Sequence, residues 1–513
     1  MKQLLRLSFL LALIAGFGTN LLAQHNITVK IDNYKNDTCI LGYRLGKQTY
    51  VRDTVTTKNK NGEFVFKGDK SLEGGIYLIL TKPTNIYFEF LVANKEDQTR
   101  IKIETKLING NDMSTHLKIK GSADNQAFLD YLGFLRQMRE KDAIISEKTA
   151  ALGEDKETEK KELQLQREGI GKEVEDYQQM MITKYPTYLS SALVKASLQP
   201  QVPQAVQDAG RDAAFYWYRD HFWDNFNFAD ERMIRTPIFE DKIQQYTEKL
   251  CVQMPDSVIV AVDYLLQQAL KGKNDKMFQY VAAEMLNKYA KTKVICMDAV
   301  YVHIGKKYYC TGQAAWVDSA QLVKICENVQ TLEPLLCGSY APNIKLRKLD
   351  GTTINLRDLK GPFTAIYFWD PNCGNCSKTS KKLVPVYEKY KKYGFEVFGI
   401  CSKTWKELDQ CEKKVKDQKM TFINATDDAY PLAVVKKTYD IKVNPYIMLL
   451  DKDKKIMWKR IDPKQVDDIL AMEYKELGID IEVSEEVQKQ LDEVFKVKEK
   501  DNEAKLGVDS ADH

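Results

Sequence analysis

At 513 residues, with 44% apolar and 29% charged side chains, 26 glycines and 14 prolines, the chain has room for three or four domains. Its make-up is globular, not disordered, collagenous or heptad-repeating. A balance of 76 Lys and Arg against 72 Asp and Glu leaves a net charge of +4, which supplies no global attraction for nucleic acid.

At the N-terminus, Lys2 and Arg6 flank the start of an apolar run over 7–17, and Leu21-Leu22-Ala23 stands before Gln24. A basic start, an apolar run of about 11 residues and a small residue at the cut make residues 1–23 a secretory signal peptide. The run falls short of the roughly 20 apolar residues that an anchor needs, and Gln24 is not the Cys that lipid attachment would require. The expectation is an exported, periplasmic protein, soluble once the signal is removed.

Residues 24–121 alternate with period two, as in Ile27, Val29 and Ile31. Six to eight short strands separated by turn residues predict an all-β sandwich or barrel. Asn61-Gly62, between the strands expected over 49–57 and 63–67, predicts a hairpin. From 122 to 337 the pattern becomes helical, with Asp124 expected to cap a helix carrying Phe128, Tyr131, Leu132, Leu135 and Met138. The Glu- and Lys-rich stretch 141–177 reads as a solvated helix or helical hairpin, with charge-based partner binding as the alternative. Eight aromatics follow: Phe215, Tyr216, Trp217, Tyr218, Phe222, Trp223, Phe226 and Phe228. They read as the core of the helical domain, against a ligand groove. His221 among them reads as a hydrogen-bonded packing residue, and Arg235-Thr236-Pro237 as a helix break.

Residues 338–480 alternate strand and helix. Strands are expected over 363–369, 396–400, 421–423, 446–450 and 456–458, and helices over 377–393, 404–417, 431–439 and 463–476. Such β-α-β units predict a mixed α/β sheet covered on both faces. Residues 481–513 read as a charged helical tail with a disordered end.

One motif carries chemistry. Cys373-Gly374-Asn375-Cys376 falls between a buried strand and the next helix. A thiol at a helix N-terminus faces unpaired N–H groups and the positive end of the dipole, which favours its thiolate. Cys373 is therefore the expected attacking sulfur, and Cys376, one turn on, the resolving one. A zinc site is disfavoured: Cys401 and Cys411 form no second CxxC, and no histidine lies between Cys337 and His513. Haem attachment needs a histidine where Ser377 stands. A purely structural disulfide remains the alternative. The other cysteines, Cys39, Cys251, Cys296, Cys310, Cys326, Cys337, Cys401 and Cys411, allow up to four disulfides of undeducible pairing, or several buried free thiols. Cys401 reads as a buried or structurally paired residue, against a third redox thiol.

The run Ala341-Pro342-Asn343-Ile344-Lys345-Leu346, then Asp350-Gly351, Leu356, Leu359, Lys360-Gly361, Phe368-Trp369 and the CxxC, resembles the TlpA/ResA-like thioredoxins, exported bacterial thiol–disulfide oxidoreductases. Tyr439 to Tyr446 resembles that family's cis-proline segment. The resemblance spans about 338–477 and implies that Pro445 sits opposite Cys373, that Asn444 presents backbone groups to a substrate, and that Trp369 packs near the pair and belongs to the substrate groove. The leading domains resemble a Bacteroidetes architecture of unknown function. Three departures stand out: Asn372 where thioredoxins have Trp, Asn375 in place of the Pro of CGPC, and Tyr367 in the place of a buried acid.

The leading expectation is an exported oxidoreductase, a reductase in direction, that acts on protein disulfides. It needs no metal, flavin or nucleotide cofactor and draws electrons from a membrane or periplasmic thiol donor. The alternative is a binding or assembly protein that uses the thioredoxin fold as a scaffold. A peroxidase is disfavoured, because Pro371-Asn372-Cys373 lacks the Thr and Pro that peroxiredoxins place before their cysteine.

Overall fold

The computed structural model describes residues 24–58, 60–93, 98–153, 155–426 and 434–506, with side chains to 495. The expected signal peptide, the start of the helix expected over 431–439 and the end of the tail lie outside the described residues. The chain forms two compact units, one running to Val252 and including Asp263–Tyr280, the other comprising Gln253–Val262 and the chain from Val281.

The first unit opens with eight strands: β1 (His25–Asp32), β2 (Thr38–Leu45), β3 (Gln48–Thr56), β4 (Glu63–Gly68), β5 (Gly75–Thr81), β6 (Tyr87–Val92), β7 (Lys102–Lys106) and β8 (Lys118–Lys120). They form two four-stranded sheets, ordered β4-β1-β7-β8 and β3-β2-β5-β6. Alternation explains why each sheet has one buried face. Ile27, Val29, Ile31, Phe64 and Phe66 from the first sheet share a core with Cys39, Leu41, Ile79, Phe88 and Phe90 from the second. This is a β-sandwich. The Asn61-Gly62 hairpin is not formed, because β4 pairs with β1 while β3 pairs with β2. The turn instead passes the chain from one sheet to the other. Gly62 is needed there: its φ is +76°, and a Cβ would lie 2.1 Å from the Ile31 carbonyl oxygen.

The helical region begins with Ala123–Ala151 and Glu157–Lys184, an antiparallel hairpin with Phe134 stacked on Tyr177 at 4.3 Å and exposed pairs such as Lys141–Glu173. Ser122, not Asp124, is the N-cap of the first helix. Asp124 is drawn to another helix end, accepting hydrogen bonds from the N–H groups of Leu189 (2.6 Å) and Ser190 (3.0 Å). The aromatic run divides: Phe222, Trp223, Phe226 and Phe228 are core, while Phe215 and Tyr216 are exposed. His221 stacks on Trp217 and bonds Asp224 at 2.7 Å. Thr236 and Pro237 begin the helix Pro237–Lys249.

The second unit holds a seven-stranded mixed sheet made of β9 (Lys345–Lys348), β10 (Thr353–Asn355), β11 (Phe363–Trp369), β12 (Phe395–Cys401), β13 (Ile423–Thr426), β14 (Tyr446–Leu450) and β15 (Ile456–Lys459). Their order is β10-β9-β13-β12-β11-β14-β15. Interior strand β11 runs parallel to β12 and antiparallel to β14, and all seven of its residues are buried. Phe363, Ala365, Tyr367 and Trp369 face one core, with Cys376 and Leu383; Ile366 and Phe368 face the other, with Tyr439 and Met448. Two covered faces account for an unbroken apolar strand. The β9–β10 hairpin was not among the expected strands, and β13 starts two residues later than expected. Three disulfides form among the described residues, Cys296–Cys337, Cys310–Cys326 and Cys401–Cys411, and neither Cys39 nor Cys251 is in one of them. The expected charged tail is the helix Glu485–Leu506, and it packs: Leu491 is buried and Val487 and Phe495 lie on the core beneath β11. Among the described residues no helix is long and apolar enough to cross a membrane.

Candidate active site

Strand β11 ends at Trp369, and the helix Gly374–Tyr390 starts with Cys373 as its N-cap. The intervening turn is built by Asp370, whose Oδ1 accepts the Asn372 N–H at 2.8 Å and whose main-chain oxygen accepts the Cys373 N–H at 3.2 Å. Burial opposes the Asp370 charge, yet bonds from Ser402 Oγ and Asn372 N, with Lys403 close by, hold its carboxyl below the ordinary carboxylate value.

The two thiols are unlike. Cys373 is half-buried, and its sulfur accepts the Cys376 N–H at 3.1 Å in the manner of a capping oxygen. Cys376 is 1% exposed, set among Trp369, Tyr367 and Leu383. Burial first, then the neighbouring Cys373 sulfur, push the Cys376 thiol up to about 12. Tyr367 has a hydroxyl that donates to Cys376 O at 3.0 Å and lies 2.8 Å from Ser380 Oγ. Burial raises its own pKa, so Tyr367 stays a neutral hydrogen-bonding group.

Across from the motif, the Asn444–Pro445 bond is cis. The Cys373 thiol lies 3.8 Å from Asn444 O, so the structure brings Cys373, Cys376, Asn444 and Pro445 together. Pro445 lines a groove of about 550 Å3 with Thr379, Val443, Tyr446, Arg460 and Gln465. Trp369 is not a groove residue. As the last inward-facing residue of β11 it is 1% exposed, packed beneath the pair and out of reach of a substrate. Cys401 is no third thiol, being bonded to Cys411. Ser380, Ser402 and Lys403 escaped the sequence reading; Asp370 carried a readable signal, since Asp-Pro favours a side-chain-to-backbone turn.

The asymmetry has a direct readout. With its thiol pushed up to about 12, Cys376 stays protonated through neutral and mildly alkaline pH. Iodoacetamide at pH 7–8 is expected to label Cys373 well ahead of Cys376, with Cys376 labelling rising only toward strongly alkaline pH. Peptide mass spectrometry after timed alkylation checks this, and equal labelling at pH 7 would contradict the assignment.

A dithiol at the strand–helix junction of this sheet, facing a cis-proline, defines the thioredoxin-like class. The family match and the curated relatives agree. Residues 337–459 match the AhpC/TSA family, residues 25–128 a domain of unknown function, DUF4369, and residues 155–333 another, DUF5106. The thiol–disulfide oxidoreductase ResA of Bacillus cereus is 32% identical over 134 residues, 25% of this chain and 72% of that protein; its Bacillus anthracis counterpart is 31% identical over 130 residues, 24% and 69%. Among solved structures, a thioredoxin-like protein from Bacteroides caccae is 20% identical, with 54% of this chain and 98% of that one covered at a TM-score of 0.43. The thioredoxin domain of a thiol–disulfide oxidoreductase from Bacteroides vulgatus is 26% identical, covering 26% and 96%, at a TM-score of 0.24. The chain belongs to the ResA-like, thioredoxin-fold thiol–disulfide oxidoreductases.

Proposed function

We propose that this protein is an exported reductase of protein disulfides, with Cys373 as the attacking and Cys376 as the resolving sulfur. The thioredoxin-like domain, 338–480, follows a β-domain over 24–121 and a helical domain over 122–337. The observation that carries the reading is the division of labour between the thiols, one half-exposed with an N–H on its sulfur, the other buried and held protonated.

The exchange balances as two displacements. The Cys373 thiolate attacks one sulfur of a substrate disulfide, forming a mixed disulfide and expelling the other substrate sulfur as a thiolate, which takes up a proton. Cys376 then loses its proton and attacks Cys373 Sγ, closing the Cys373–Cys376 disulfide and expelling the second substrate thiol. Two electrons pass from the pair to the substrate, and a periplasmic or membrane thiol donor restores the dithiol. Once Cys373 is in the mixed disulfide, its share in raising the Cys376 pKa is gone. Burial and the Asp370 charge still oppose ionisation, but with that share gone Cys376 ionises more readily after attack than before it. Pro445 and the backbone of Asn444 guide the substrate chain to Cys373.

The test is trapping. A Cys376→Ser variant should accumulate a mixed disulfide of Cys373 with substrate protein that stays attached, one of its two sulfurs freed as a thiol, visible on non-reducing gels and lost on adding dithiothreitol. A pair that forms no adduct, and cannot be oxidised and reduced without unfolding, would leave the scaffold reading. The direction is read from the reduction potential: roughly −230 mV or below fits a reductase, above about −180 mV an oxidant or isomerase.

A further inference from the structure

The helix Leu408–Asp417 grips the cysteine loop at both ends. Ahead of Cys373, Asn372 Nδ2 donates to Gln410 Oε1 at 3.1 Å. Behind Cys376, Gln418, the C-cap of the same helix, donates through Nε2 to Ser377 O at 3.1 Å and to Ser377 Oγ. The helix is itself tied down. Cys411, in its first turn, is disulfide-bonded to Cys401, the last residue of β12, and both are shut off from solvent. Cys401 stands in register with Trp369, the last residue of β11. The next residue, Ser402, donates from its N–H to Trp369 O at 2.9 Å and from its hydroxyl to Asp370. Disulfide, helix and loop close into one brace around the motif.

We propose that Gln410 and Gln418 are positioning residues for the exchange reaction, with the Cys401–Cys411 disulfide as the anchor through which they act. The inference rests on Cys373 and Cys376 being the exchanging pair. In the dithiol, the Cys373 sulfur sits on the Cys376 N–H. Closing the disulfide draws the Cys373 sulfur, now on the Cys376 N–H, to bonding distance of Cys376 Sγ, and the turn between Asn372 and Ser377 carries that movement. Contacts that hold both ends of the turn in the dithiol arrangement favour the dithiol, because a bond stronger in one state biases the equilibrium toward it. Loosening the brace therefore shifts the pair toward its disulfide.

The experiment equilibrates the full chain in glutathione buffers and reads the oxidised fraction of the Cys373–Cys376 peptide by alkylation and mass spectrometry. Gln410→Leu is expected to shift the equilibrium about fivefold toward the disulfide, which is about 20 mV on the two-electron scale. Asn372→Leu should give the same shift, and the double variant no more than either alone, since the two act through one bond. Gln418→Leu and Cys401→Ala/Cys411→Ala should move it in the same direction. Unchanged equilibria with a lowered thermal midpoint, or fully additive shifts for Gln410 and Asn372, overturn the proposal. A wild-type pair that does not exchange with glutathione overturns the catalytic reading and this inference with it. A wild-type pair that exchanges while every variant matches it removes only the brace.

Discussion

A Cys373→Ser variant is expected to lose disulfide exchange by a factor on the order of 10^3 or more, the scale on which removal of a covalent nucleophile acts. Serine keeps the cap: its oxygen can accept the Cys376 N–H as the sulfur does now at 3.1 Å, so the fold and the helix start are retained. What is lost is the nucleophile, because the remaining Cys376 is 1% exposed and pushed up to about 12. Cys376→Ser should behave differently. It leaves attack intact and removes resolution, so a single burst of one mixed disulfide per chain is followed by no turnover. Stopped-flow release of a chromogenic thiol from an aromatic disulfide separates the two outcomes. Comparable steady-state loss with no burst in either variant would mean that the roles are not divided as the geometry divides them.

The legible part of this site was the part written in local sequence. Residues 363–369 are an apolar run followed by Asp-Pro and a CxxC, and strand, turn and helix start follow from that order alone. The cis bond at Pro445 was readable only through family resemblance, since nothing local in Lys442-Val443-Asn444 demands it. The brace was not readable at all. Gln410 and Gln418 are ordinary polar residues on a charged helix, and they matter because a disulfide sets that helix beside the loop. The Cys401–Cys411 pairing itself depends on the helix Leu408–Asp417 folding back to the end of β12, which no local pattern announces. The errors elsewhere have the same origin. Asn61-Gly62 is good turn chemistry, but turn chemistry does not say whether the next strand joins the same sheet. Asp124 is a good cap, but tertiary packing offered it a second helix end to serve. In β9, Lys345–Lys348 places a single buried residue, Leu346, among charged neighbours, too weak a pattern to read as a strand. Trp369 looked like a groove residue because of its place beside the motif; the parity of β11 turns it inward.

Lys459→Met is expected to destabilise the second unit by about 3–5 kcal/mol, the cost of leaving one member of a buried ion pair uncompensated. Lys459 ends β15 at 4% exposure, and its ammonium meets the Asp298 carboxylate, 8% exposed, and Leu335 O at 2.6 Å. Burial lowers the Lys459 pKa while Asp298 opposes the shift, as expected of a charge kept in the interior by its partner. Methionine fills the same space without the charge, so the loss isolates the electrostatic partner and the Leu335 acceptor rather than a cavity. The paired replacement Lys459→Met/Asp298→Leu should recover most of the stability, because exchanging a whole buried pair for apolar groups is often neutral. The Cys296–Cys337 disulfide closes the same strap, two residues from Asp298 on one side and two from Leu335 on the other. The single variant should therefore lose more in reducing than in oxidising buffer. Denaturant unfolding under both conditions measures it, and a single variant that unfolds with the wild-type free energy in both would mean that this strap is held without the ion pair.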